Sequence, residues 1–115
     1  MNYYTDLKVW QKAMDLVEIV YKLVKYLPKE ETYALSDQMR RAVVSIPSNI
    51  AEGQQRNTQK DFKNFLFIAR GSNAEIETQL RICVRLKYLN EEQVKPAMEL
   101  CLEISKMLSA FITKI

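Results

Sequence analysis

The 115-residue chain has no histidine, only two glycines, three prolines and two cysteines, and no long apolar run. Without histidine there is no Ser-His or Cys-His pair, no His-containing zinc site and no imidazole base near neutral pH. The Glu-x-x-His element of a di-metal helical bundle is excluded for the same reason. So few glycines and prolines cannot turn the many strands of a sandwich or barrel, and they leave no glycine-rich loop to cradle a phosphate. Cys83 and Cys101 belong to no Cys-x-x-Cys pair, and no secretory leader accompanies them, so a reduced, cytoplasmic setting is expected. No stretch approaches the roughly 18 apolar residues of a spanning helix, and no membrane partner is expected. These absences predict a non-enzyme with no catalytic residue, metal ligand or cofactor.

Hydrophobic residues make up 48% of the chain and charged residues 27%, enough apolar material for one domain, residues 1–115, with its own core. Their spacing is helical throughout. The first helix is predicted over Tyr4 to Leu27, ended by Pro28, which cannot continue the hydrogen-bond ladder. It carries two apolar seams spaced by threes and fours. One is Leu7, Trp10, Met14, Val17, Tyr21 and Val24; the other is Val9, Ala13, Leu16, Val20, Leu23 and Leu27. Two seams mean either two neighbours within one bundle or one neighbour and a second subunit.

A second helix is predicted from Glu30–Thr32 to Arg56 along Leu35, Met39, Val43, Ile46 and Ile50, kinked rather than stopped at Pro47. Ser45, Ser48 and Asn49 are placed to bond the backbone groups that Pro47 frees. Gly53 and the polar stretch after it mark the next boundary, and Thr58 with Asp61 forms a capping-box pattern opening a third helix that reaches Lys87. Within it Gly71, Ser72 and Asn73 interrupt the apolar line, and small residues there would admit another backbone. Asn90 and Gln93 form a second capping box, and the fourth helix runs from Glu91 to the end with Val94, Ala97, Met98, Cys101, Ile104, Leu108, Phe111 and Ile112 inward. Antiparallel helices joined at Asn90 leave Cys83 about a turn short of Cys101, so no disulfide is expected. The fold class is all-α, an antiparallel up-down-up-down four-helix bundle.

Charge is unevenly spread. Residues 40–87 hold nine basic and four acidic side chains, +5, whereas the segments on either side each carry −1, for a chain total of +3. Within the basic segment Arg56, Lys60, Lys63 and Arg70 recur at spacings of four, three and seven, Phe67 falls in the same row, and Arg81 and Arg85 continue it. Such a row can track a phosphate backbone by releasing condensed counterions, and it is equally what a solvated lysine and arginine face looks like. A polar line on the second helix, Gln38, Arg41, Ser45, Asn49, Glu52 and Arg56, is likewise either a solvated face or a packing surface.

The segments DLKVWQKAMDLV (6–17), RRAVVSIPSNIAEG (40–53) and FLFIARGSNAEIETQL (65–80) resemble, in order and spacing, the four-helix-bundle proteins encoded by intervening sequences in bacterial large-subunit ribosomal RNA genes. The resemblance covers nearly the whole chain; Asn73 departs from it, standing where a hydrophobic or small residue is commoner. It implies a ring-like homopentamer, in which five chains at +3 carry +15. It also makes Arg41, Ser45, Pro47, Asn49, Glu52, Gly53, Gly71 and Ser72 a polar packing motif, with Arg41, Ser45, Asn49 and Glu52 expected to meet Arg70, Ser72 and Asn73. The family has no settled activity. A related group, the accessory proteins of diversity-generating retroelements, implies nucleic acid and a reverse transcriptase or another ribonucleoprotein as partners. The expected function is binding of structured RNA, or of DNA, through Arg56, Lys60, Lys63, Arg70, Arg81 and Arg85. The alternative is a protein-interaction scaffold that never touches nucleic acid.

Overall fold

A computed structural model describes residues 3–115 and shows four α-helices and, among the described residues, no strand: α1 (Lys8–Val24), α2 (Leu35–Gln54), α3 (Gln59–Arg85) and α4 (Glu91–Lys114). They form a four-helix bundle in which α1 packs on α2, α2 on α3, α3 on α4 and α4 back on α1. Each helix turns one apolar stripe inward: Ala13, Leu16 and Val20 of α1, Met39, Val43, Ile46 and Ile50 of α2, Leu66, Ala69, Ile76 and Leu80 of α3, and Ala97, Cys101, Ile104 and Leu108 of α4 are all fully buried. Among the described residues no helix is long and apolar enough to cross a membrane.

Helix ends depart from the apolar periodicity where backbone hydrogen bonding decides. Instead of starting at Tyr4, the first helix is preceded by a 3-10 turn, Tyr4–Asp6, and an extended Leu7 at φ −74° and ψ 124°. The Tyr4 ring meets Trp10 edge to face at 5.4 Å and holds that turn against α1. At the other end Tyr26 and Leu27 bond back to Leu23 and Val24, tightening the chain into 3-10 geometry, because the residue before Pro28 is driven out of the α region. A second 3-10 turn, Lys29–Glu31, takes the place of the expected first turn of α2. Leu35 then starts the helix with its N–H donating to Glu31 Oε1 at 3.3 Å.

α2 passes through buried Pro47 and continues to Gln54. Asn49 does not reach the carbonyl that Pro47 frees; its Nδ2 donates to Ser45 O at 2.7 Å and Ser45 Oγ at 2.8 Å. α3 opens on Thr58, whose side chain accepts from Asp61 N, and α4 opens on a complete Asn90–Gln93 capping box. α3 ends two residues before Lys87, which sits in the left-handed region at φ 65°. Cys83 and Cys101 are buried and free. Burial pushes both thiols up, Cys83 to about 11 with the Glu31 charge adding, and Cys101 to about 12 with Glu77 adding.

Candidate nucleic-acid interface

A residue on an α-helix is displaced by about 100° from its predecessor, so positions spaced by three, four and seven return to one side. On α3 this brings Lys60, Lys63, Phe67, Arg70, Ala74, Arg81 and Arg85 into a single row along the flank nearer α4. Two observations fix that flank. Arg70 Nη1 donates to Ser109 Oγ of α4 at 3.2 Å, and Arg81 and Arg85 line a cleft of about 200 Å³ with Glu91, Val94 and Met98 of α4. From Lys60 to Arg85 the row is roughly 37 Å long at the helical rise, comparable to ten or so base steps of duplex.

The cations differ in freedom. Lys60, Lys63 and Arg85 make no ion pair or hydrogen bond among the described residues; Lys60 and Arg85 are exposed and Lys63 is half-buried. Arg81 stands 3.7 Å from Glu77 on an exposed surface, a pair of little energetic weight. Arg56, in the loop before α3, is tied to Glu52 at 2.7 Å and lies over the Phe65 ring at 4.8 Å. Half-buried Arg70 lies 5.0 Å over the ring of Phe67, which is 44% exposed. Glu77 divides the row into Lys60, Lys63 and Arg70 at one end and Arg81 and Arg85 at the other.

The polar motif expected between α2 and α3 is smaller than its sequence footprint. Ser45 and Ser72 share a hydrogen bond of 2.9 Å across the two helices, and Asn49 donates into the same oxygen, so three side chains form one chain of bonds. Arg41 and Glu52 take no part. They are exposed and pair within α2, Arg41 with Asp37 at 3.1 Å and Glu52 with Arg56, because their positions lie further round the helix toward solvent. Asn73 faces α4, donating from Nδ2 to Cys101 O at 2.8 Å, and Arg70 reaches Ser109 rather than α2. The buried Oδ1 of Asn73 and Oε1 of Gln79 have no partner among the described residues.

The close approach expected at Gly71 occurs instead at Gly53, beside the end of α2. A Cβ at Gly53 would stand 2.6 Å from Phe65 Cβ, so this is where α2 and α3 approach closely. Gly71 opens onto empty space, with nothing beyond its own helix backbone within 4 Å of a Cβ, so no other helix approaches it among the described residues. Ser109 escaped sequence reasoning, since a lone serine on α4 gives no signal until its register against α3 is known. Gln79 and the bond between Tyr88 and Glu31, 57 residues apart, were missed for the same reason.

An all-helical bundle whose third helix carries a basic row defines the class of protein. The 23S rRNA-intervening sequence protein family matches residues 5–110, and the chain belongs to that family. It is 31% identical to a crystal structure of a protein of unknown function from the S23 ribosomal protein family of Bacteroides thetaiotaomicron. The match has a TM-score of 0.83 and covers 90% of this chain and 97% of that one. No curated protein matches.

Proposed function

We propose that the protein is a non-enzymatic, cytoplasmic homo-oligomer, a ring of five chains, that binds RNA through the basic row of α3. The observation that carries this reading is the alignment of Lys60, Lys63, Arg70, Arg81 and Arg85 on one flank of a single helix, four of them without an acidic partner among the described residues. Each phosphate neutralised by such a row releases counterions, and a ring multiplies a row that is weak in one chain. The family's tie to ribosomal RNA intervening sequences makes RNA the first ligand to test. Assembly is supported by apolar side chains left exposed on α1, Met14 at 40% and Tyr21 at 41%, in the seam that the bundle itself covers only in part.

A salt titration of RNA binding tests the reading. Affinity falls steeply between 50 and 200 mM salt, by orders of magnitude if six or more phosphates are contacted. Neutralising Lys60 and Lys63 to glutamine makes the salt dependence shallower. Absence of binding at low salt refutes the proposal and leaves the scaffold reading.

A further inference from the structure

Two members of the row are not basic, Ala74 and Phe67, and only Phe67 is aromatic. Phe67 exposes 44% of its surface between Lys63 and Arg70; the other exposed apolar side chains of α3, Ile68, Ile82 and Leu86, lie further round the helix from the row. Its helical neighbours leave it accessible. One turn before it is Lys63; three residues after it Arg70 lies 5.0 Å over the ring, held by Ser109; one turn after it is Gly71, where no atom beyond its own helix backbone lies within 4 Å of a would-be Cβ. An aromatic ring with one cation against it and open space beside it, between two lysines and an arginine, is the arrangement by which proteins hold unpaired bases. The ring takes the base, the cations take its flanking phosphates, and the missing side chain makes room.

We propose that Phe67 is a base-stacking residue and that the segment Lys60–Gly71 recognises single-stranded nucleic acid, an unpaired loop or tail, rather than the regular duplex. This rests on the nucleic-acid reading above and narrows its ligand. It also accounts for Gly71, a helix-interior glycine that no contact within the chain requires.

The test uses the full chain and fluorescein-labelled 20-mer RNAs, one single-stranded and one duplex, read by anisotropy across a salt series. Phe67→Leu keeps apolar bulk and removes the π-face; because the side chain is so exposed, helicity by circular dichroism is expected to stay unchanged. The variant is expected to weaken single-strand binding about tenfold with the same salt slope, and to leave duplex binding as it was. Phe67→Trp is expected to restore affinity, and the bound strand to quench its emission beyond any change at Trp10. Single-strand affinity equal to wild type in Phe67→Leu overturns the stacking site while leaving the basic row standing. Equal losses on single strand and duplex overturn it as well, since a base inside a duplex offers no face to stack. Failure of the wild type to bind either RNA at low salt removes the nucleic-acid reading and this inference together.

Discussion

A methyl group on Gly53 would lie 3.0 Å from Phe62 Cδ1 and 2.6 Å from Phe65 Cβ, which cannot retreat without shifting the start of α3. Overpacking of this kind costs about 1–3 kcal/mol, so Gly53→Ala is expected to lower the urea midpoint. Gly71→Ala should raise it, adding up to about 1 kcal/mol of stability, because alanine is the better helix former and the site is open. A Gly53→Ala protein as stable as wild type would show that α2 and α3 are further apart than described. In sequence the two glycines are alike, each inside a motif, and only the register of α2 on α3 tells which one a neighbour touches. The thiols give a second prediction. Cys83 and Cys101 have pKa values raised from 9.0 by burial, so neither offers a thiolate at pH 8. A thiol reagent is expected to modify neither in the native protein and both in urea. The sign follows from the raised values. The stability their burial contributes is complete below pH 9 and is lost as pH climbs through about 11 and 12, where the native state must hold protons the unfolded chain releases.

α3 ends in a Schellman motif, with Tyr88 N bonded to Cys83 O at 2.9 Å and Lys87 N to Val84 O at 3.0 Å. That geometry puts Lys87 at φ 65°, a conformation that costs a side-chain-bearing residue roughly 1–2 kcal/mol and glycine almost nothing. Lys87→Gly should therefore stabilise the protein by about 1 kcal/mol in thermal or urea unfolding, even though glycine adds entropy to the unfolded chain; a loss of stability would mean that Lys87 makes a compensating contact. The turn is also tied across the molecule. Tyr88 donates to Glu31 Oε2 at 2.8 Å while Glu31 Oε1 accepts from Leu35 N, so one carboxylate both caps α2 and anchors the α3–α4 turn. The hydrogen bond to Glu31, then burial and the nearby acidic charges, hold the Tyr88 hydroxyl protonated above its usual range. Its contribution is complete below pH 10 and fades above it. Helix existence, the Thr58 and Asn90 caps and the inward stripes were legible because they depend on neighbours three or four residues apart. The true start of α2 was not, since it depends on Glu31 and on a partner in another helix.

Across the whole molecule, legibility falls further, because faces of helices become neighbours only once the bundle order is known. On α1 the seam Val9, Ala13, Leu16, Val20 and Leu23 is at most 7% exposed, whereas Met14 and Tyr21 of the other seam remain 40% and 41% exposed and Leu7, Trp10 and Val17 half-buried. The chain alone therefore accounts for the first seam and for Val24 and parts of Leu7, Trp10 and Val17 in the second, and leaves Met14 and Tyr21 uncovered. If the second seam meets another subunit, a charge placed on it must pay to be desolvated, and Met14→Glu or Tyr21→Glu should break the assembly without unfolding the bundle. Light scattering is expected to show a mass near five times the 13.5 kDa chain for wild type and a fall toward 13.5 kDa for either variant, with helical circular dichroism retained. RNA affinity should fall in the same variants although no cation has been touched, because several rows no longer act on one strand. A Met14→Glu protein whose mass is unchanged would place the exposed seam outside any subunit contact, and a wild-type protein that scatters as a single chain would in addition strip the +3 chain of the multiplication its binding requires.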